Sequence, residues 1–169
     1  MRVGNREFLV IGHRGSLPGR ENTMEAFTLA KKLGADAIET DVRAVEHGKT
    51  LVLAHDGSLV RVANVPIKII NHTLEELRKY YPIPTVEELL SNYPDIINLE
   101  IKEKGVVDML TRLVLKYNAV GRIVFSSFFP SVLIRVRKII PNARIWFLIY
   151  GKNKTLEMIL YPLARLFDK

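Results

Sequence analysis

Ala37-Ile38-Glu39-Thr40-Asp41-Val42-Arg43-Ala44-Val45-Glu46-His47-Gly48-Lys49-Thr50-Leu51-Val52-Leu53-Ala54-His55-Asp56 is the stretch on which the fold turns. It holds two apolar, strand-like runs, residues 37–42 and 51–55, and both end in charge. Only about eight residues, 43–50, join them. A parallel crossover normally needs a dozen or more residues, and Glu46-His47-Gly48-Lys49 has the composition of a hairpin turn. Read as a simple hairpin, the stretch sends Glu39 and Asp41 to one end of a sheet and His55 to the other. Read as parallel strands with an extended return path, it gathers all three at one end.

Working outward, two more segments have the same form. His13-Arg14-Gly15 follows Phe8-Leu9-Val10-Ile11, and Glu100-Ile101-Lys102 follows Ile96-Ile97-Asn98-Leu99. Parallel strands are usually buried on both faces, so charge at their ends calls for a reason. Helical signals alternate with the strand signals. Phe27, Ala30 and Leu33 fall at helical spacing, with Asn22 or Thr23 as the cap and Gly34 as the stop. Thr73 with Glu76, and Thr85 with Glu88, have capping-box spacing. Val106, Val107, Leu110, Leu113 and Val114 share a helix face, as do Val132, Leu133, Val136 and Ile139. Strands are expected at residues 8–11, 37–42, 51–55, 96–101, 122–127 and 144–150. This alternation predicts an α/β fold. Six strands match most of a TIM-type (β/α) barrel, whose functional groups stand at the strands' C-terminal ends. A full barrel takes ~250 residues, ~200 at the small end, so this chain is expected to hold about six β/α units in one domain, residues 1–169.

The chain has 169 residues, 48% hydrophobic and 25% charged, which is ordinary for a globular domain. It has no cysteine, which excludes a thiolate metal site, a cysteine nucleophile and a disulfide framework. The net charge of +7 favours anionic partners. The basic residues are broken up by apolar ones, as on solvated helix and loop faces, and no aromatic-rich basic surface suited to nucleic acid stands out. No secretory signal and no membrane-length apolar run is present, so the cytoplasm is the expected location. The amphipathic stretch 155–167 leaves a membrane-surface role open.

The polar residues define the chemistry. Glu39 and Asp41 lie two apart on a strand and so point to one side. Two carboxylates at close range repel unless a cation sits between them. Glu100 adds a third oxygen donor, and an all-oxygen set suits Mg²⁺ or Ca²⁺, not zinc. The plainer reading is a surface salt-bridge cluster. His13 and His55 follow apolar strands beside carboxylates and have the pKa range of a general acid and a general base; a lone histidine is more often structural. His47 and His72 sit in turn-like contexts and read as solvated. Arg14 offers a planar fork for a phosphate, or a salt bridge to Glu21 or Asp36. Lys102 shares a strand face with Glu100, where it either neutralises charge on a phosphoryl oxygen or pairs with Glu100. No Walker-type loop and no Gly-x-Gly-x-x-Gly is present.

Taken in order, Gly12-His13-Arg14-Gly15, Glu21-Asn22-Thr23 with Ala26-Phe27, Glu39-Thr40-Asp41-Val42 and His55-Asp56 closely resemble the glycerophosphodiester phosphodiesterase family. Leu59, Arg61, Thr73-Leu74-Glu75-Glu76-Leu77, Ile83-Pro84-Thr85, Asn98-Leu99-Glu100-Ile101-Lys102 and Ser127-Phe128 extend the resemblance over residues 8–150. It implies a TIM-type barrel and metal-dependent hydrolysis of glycerophosphodiesters to glycerol phosphate and an alcohol. It places the acid/base pair on His13 and His55, the metal ligands on Glu39, Asp41 and Glu100, and phosphate contacts on Arg14 and Lys102. It also implies that residues 37–42 and 51–55 run parallel.

Two departures stand out. The connection around the His-Asp motif is short, and the family's last two barrel units, with their tryptophan-containing motif, have no counterpart; Trp146 lies inside the sixth strand. An open barrel edge would need cover from residues 155–167 or from a second copy, so a homo-oligomer is one expectation. The rival functions are a catalytically poor phosphate-binding or assembly protein that keeps the front of the barrel, and a lipid phosphodiesterase working at a membrane surface. The small-molecule diester reading is favoured because every residue needed for metal and acid/base work is present.

Overall fold

The computed structural model describes residues 2–3, 6–7 and 9–149. A short antiparallel pair, β1 (Arg2–Val3) and β2 (Arg6–Glu7), precedes the main body. The main body runs β3 (Ile11–His13), α1 (Met24–Lys32), β4 (Ala37–Val45), β5 (Thr50–Leu53), α2 (Val60–Ala63), α3 (Leu74–Arg78), α4 (Val86–Asn92), β6 (Ile96–Ile101), α5 (Val107–Lys116), β7 (Ile123–Ser127), α6 (Pro130–Ile139) and β8 (Arg144–Phe147). Strands β3, β4, β6, β7 and β8 form a parallel sheet in that order. The helices pack on its outer side, as in a shortened TIM-type barrel.

The expectation that residues 51–55 run parallel to residues 37–42 is corrected. β5 is antiparallel to β4, with Val42 opposite Leu53 and Val45 opposite Thr50. The cause is the link. Glu46, His47 and Gly48 all have positive φ (53°, 53° and 95°), and Lys49 N–H donates to the carbonyls of Val45 and Glu46. That turn is too tight for a crossover. The sheet therefore has the six strands expected, but the third belongs to a hairpin, and five parallel strands remain among the described residues.

The hairpin nevertheless keeps the site together, because β4 is longer than expected. Its first part, up to Val42, lies between β3 and β6, whereas residues 42–45 run on and pair with β5. The chain climbs above the sheet and comes back. Ala54 N–H donates to the Asp41 carbonyl at 2.9 Å, so His55 returns to the level of Asp41.

The first strand is also shifted. The apolar run predicts it at residues 8–11, but it forms at Ile11–His13, in register with Ala37–Glu39. Leu9 and Val10 are 59% and 42% exposed, and the Val10 N–H is taken by the Asp36 carboxylate. Strand β8 is likewise shorter than the expected 144–150, and the amphipathic stretch 155–167 lies outside the described residues.

Elsewhere local sequence and structure agree. Thr23 Oγ1 caps α1 by accepting from Ala26 N–H, and full capping boxes open α3 at Thr73 and α4 at Thr85. One apolar core lies between the sheet and its helices, around Phe27, Ile38, Leu89, Leu99, Leu110, Phe125 and Val136. A second cluster, Val45, Val52, Leu59, Ile69, Leu77, Tyr81 and Ile83, supports the hairpin and the loop after it. The site thus rests on a rigid sheet at one side and a separately packed hairpin at the other.

Candidate active site

Parallel register builds the centre. Asp41 lies opposite Glu100, Glu39 opposite Asn98, and His13 opposite Glu39. Glu39, Asp41 and Glu100 are all buried, and one carboxylate oxygen from each lies within 4.8 Å of the others. Such crowding of like charge is costly without a counter-charge. Two cations supply part of it. Lys102 Nζ stands 2.6 Å from Glu100 Oε1 and 3.0 Å from Asp41 Oδ1, and Arg14 Nε is 3.4 Å from Asp41 Oδ2. Glu39 Oε1 has no hydrogen-bond partner, and Asp41 Oδ1 meets Lys102 in ion-pair contact without hydrogen-bond geometry. Burial first, then the neighbouring Asp41 charge, pushes the Glu39 carboxyl up to about 8. Orphaned buried carboxylate oxygens converging on one point are what a hard divalent cation would satisfy.

The loop after β3 folds tightly around this centre. Arg14 has φ 55°, and its N–H donates to Glu39 at both the carbonyl (3.0 Å) and Oε2 (3.1 Å). Gly15 has φ 81°, and a Cβ there would stand 2.5 Å from Ala26 Cβ and 2.7 Å from the Ala26 carbonyl carbon. Glycine is thus required for the loop to lie on α1. His13 Nε2 is 3.7 Å from Glu39 Oε2, yet its side chain is 70% exposed. Partial burial and the Arg14 guanidinium hold the imidazole below its ordinary pKa. A cleft of about 390 Å³, lined by His13, Arg14, Gly15, Ser16, Leu17 and Glu21 among others, opens beside it.

The hairpin brings in His55. Its carbonyl accepts from Arg43 Nε at 2.8 Å, and Arg43 is itself held by Glu103 at 2.8 Å. The His55 imidazole bonds through Nδ1 to Asp56 Oδ1 at 2.7 Å. All seven residues singled out from the sequence, His13, Arg14, Glu39, Asp41, His55, Glu100 and Lys102, therefore stand at one end of the sheet. The salt bridges weighed for Arg14 and Lys102 are also present: Arg14 reaches Glu21 at 3.5 Å, and Lys102 pairs with Glu100. His47 is exposed at the hairpin turn, and His72 is half-buried, its Nδ1–H donating to the Lys68 carbonyl.

Three further residues, Asn22, Asp56 and Arg61, join the site without a distinctive signal of their own in the sequence. Asn22, read as a possible helix cap, is buried with φ 54°. Its Nδ2 donates to Asp41 Oδ2 at 2.9 Å, and its Oδ1 accepts from Thr40 Oγ1 at 2.7 Å. Asp56 and Arg61 enter the sequence pattern only as parts of motifs, yet both belong to the His55 side of the site. The available signal was their place in the ordered motifs.

The model of the glycerophosphoryl diester phosphodiesterase family matches residues 12–166. A glycerophosphodiester phosphodiesterase of Caldanaerobacter subterraneus is 35% identical over 158 residues, 81% of this chain and 65% of that protein. The chain thus spans slightly under two thirds of that relative's length. The crystal structure of a glycerophosphodiester phosphodiesterase from Thermotoga maritima superposes with a TM-score of 0.78 at 30% identity, covering 95% of this chain and 71% of that one. A phosphodiesterase of Oleispira antarctica, solved with the product sn-glycerol-3-phosphate, gives 0.71 at 25% identity over 92% of this chain and 71% of that one.

Proposed function

Because the chain belongs to the glycerophosphoryl diester phosphodiesterase family, we propose that it hydrolyses glycerophosphodiesters to glycerol phosphate and an alcohol. The observation that carries this reading is the buried triad Glu39, Asp41 and Glu100, with unsatisfied oxygens on Glu39 and Asp41, at the sheet end that also carries His13 and His55. The product held by the Oleispira relative agrees with the substrate class.

In this reading Glu39, Asp41 and Glu100 hold one divalent cation, Mg²⁺ or Ca²⁺, since all donors are carboxylate oxygens. A cation held by these three carboxylates would supply Lewis-acid polarisation of a phosphoryl oxygen and would lower the pKa of the glycerol hydroxyl. Arg14 and Lys102, which lie against the carboxylates, then have their charge available for the phosphate. One of His13 and His55 takes the hydroxyl proton as that oxygen attacks phosphorus, and the other protonates the departing alcohol. Water opens the cyclic phosphate, with the two histidines exchanging roles, and glycerol phosphate leaves.

The substrate is small and diffuses in water, so the reaction needs no membrane, and we assign it to the cytoplasm. Among the described residues, no helix is long and apolar enough to cross a membrane. We take the chain as a single barrel-type domain that works as a monomer or a homo-oligomer, which light scattering distinguishes.

The test is release of glycerol phosphate from glycerophosphocholine and glycerophosphoethanolamine, with EDTA, Mg²⁺ or Ca²⁺. Release is expected only with a cation and is lost in Glu39→Ala. His13→Ala and His55→Ala should each lower kcat by roughly a hundredfold or more, with an unchanged circular dichroism spectrum. Near-normal turnover in either variant would remove that histidine from the mechanism. No release from folded protein with either cation would point to the phosphate-binding or assembly alternative.

A further inference from the structure

A chain of charged groups runs from the loop after β3 to the His55 ring. Arg61, in the single turn α2, donates from Nη1 and Nη2 to both Glu21 oxygens, at 2.5 and 2.7 Å. Its Nε donates to Asp56 Oδ2 at 2.6 Å, and Asp56 Oδ1 meets His55 Nδ1 at 2.7 Å. The guanidinium therefore uses both of its edges, one on each carboxylate. This is the forked geometry that fixes direction as well as charge.

Both ends of the chain are anchored. The Glu21 carbonyl accepts from Tyr81 Oη at 2.6 Å, and Tyr81 belongs to the apolar cluster under the hairpin. Leu59, at the start of α2, is buried in the same cluster, and its N–H donates to the Ile67 carbonyl. Glu21 also lies 3.5 Å from Arg14, on the side of the carboxylate triad. The network thus spans the two segments that carry His13 and His55, which come from different parts of the fold.

We propose that Arg61 is a positioning residue for His55. By locking Asp56 it fixes the Nδ1–H tautomer and the ring plane of His55, leaving Nε2 as the nitrogen that exchanges a proton with substrate, and Glu21 holds the guanidinium in place. The chemistry requires this order. A neutral imidazole has one N–H, and a carboxylate at Nδ1 demands that it sit there. Asp56 is suited to that demand. Burial acts to raise its pKa, but the hydrogen bonds from His55 and Arg61 outweigh it and hold the carboxyl below its usual value. Asp56 lies on an irregular segment, and with His55 on one oxygen and Arg61 on the other both of its carboxylate oxygens have a fixed partner. As an ion pair alone the contact would contribute little to stability, since Arg61 is 44% exposed.

The inference rests on His55 as an acid/base group, so its test has one arm that needs no turnover. The chain has four histidines, and His55→Gln identifies the His55 resonances in a ¹⁵N–¹H imidazole spectrum of the full chain. Above the imidazole pKa, His55 is expected as the Nδ1–H tautomer, shifting toward a mixture in Arg61→Ala. In the same variant kcat should fall roughly tenfold to hundredfold, with KM within about threefold and little change in Tm. Arg61→Lys, which keeps the charge but loses the fork, should lie between. An unchanged His55 tautomer in folded Arg61→Ala overturns the proposal, whatever happens to kcat and Tm. If Arg61→Ala does not fold, the Arg61→Lys spectrum decides: an unshifted tautomer refutes the role. If the wild-type chain proves inactive, the functional reading fails while the tautomer arm still reports on Arg61.

Discussion

Asn22 shows how much one side chain contributes at the site. It stands beside a Thr whose hydroxyl takes the α1 cap, so its own amide is free to reach across to Asp41. The left-handed φ of 54° is tolerated by Asn better than by most residues. Its two hydrogen bonds fix one Asp41 oxygen and the Thr40 hydroxyl, and the other Asp41 oxygen, Oδ1, stays beside Lys102 Nζ with no hydrogen bond of its own. Asn22→Ala removes both bonds inside a buried region and should lower stability by about 1–3 kcal/mol. It should also weaken divalent-cation affinity roughly tenfold to hundredfold, as when a ligand loses its orienting partner. Calorimetric titration of Mg²⁺ or Ca²⁺ into the folded variant checks this, and unchanged affinity would show that Asp41 is oriented by the strand alone. The sequence marks Asn22 only as a cap candidate, because a bond between positions 22 and 41 leaves no local period to read.

Among the elements, those governed by local rules are legible in the sequence and those governed by long-range pairing are not. The two capping boxes, Ile96–Ile101 and the apolar faces of α1, α5 and α6 follow from spacing alone. The first strand is displaced because its limits are set by pairing with β4, not by its own apolar residues. The hairpin is the instructive case. Turn composition and link length favour it, whereas the family resemblance implies a parallel pair, the arrangement that gathers His55 with Glu39 and Asp41. What was not legible is that β4 continues past the sheet, so that a hairpin returns His55 to the same end. Glycines at the two turns separate conformational strain from packing. Gly48 has φ 95° with nothing within 4 Å of a built Cβ, so Gly48→Ala should cost about 1–2 kcal/mol. Gly15→Ala meets the backbone of Ala26 as well and should cost roughly 3 kcal/mol or more. Urea midpoints of the two variants test the difference. Equal losses would mean that the loop after β3 yields easily and is not clamped on α1.

For the molecule as a whole, the triad ties folding to pH and to the cation. Glu39 has a native pKa of about 8 against an ordinary 4.5. The metal-free folded state therefore keeps a proton that the unfolded state has lost between those values. Stability from this group is intact below about pH 4.5 and falls as pH rises toward 8, by roughly 1.4 kcal/mol per pH unit at most within the window. His13 acts in the opposite sense. Its native pKa is lowered, so it favours folding as pH rises through its ordinary value of 6.5, over a narrower range. Glu39 should dominate because it is buried and His13 is largely exposed. A bound divalent cation competes with that proton and replaces it as the counter-charge, so its stabilising effect should grow with pH. Thermal unfolding in EDTA should thus show Tm falling from pH 5 to 8, with millimolar Mg²⁺ or Ca²⁺ restoring it most at the alkaline end. Glu39→Gln should flatten the EDTA profile and remove most of the cation's effect. A cation-induced Tm gain that is the same at pH 5 and pH 8 would mean that the ion binds away from Glu39, and the assignment of this triad as the metal site would have to be abandoned.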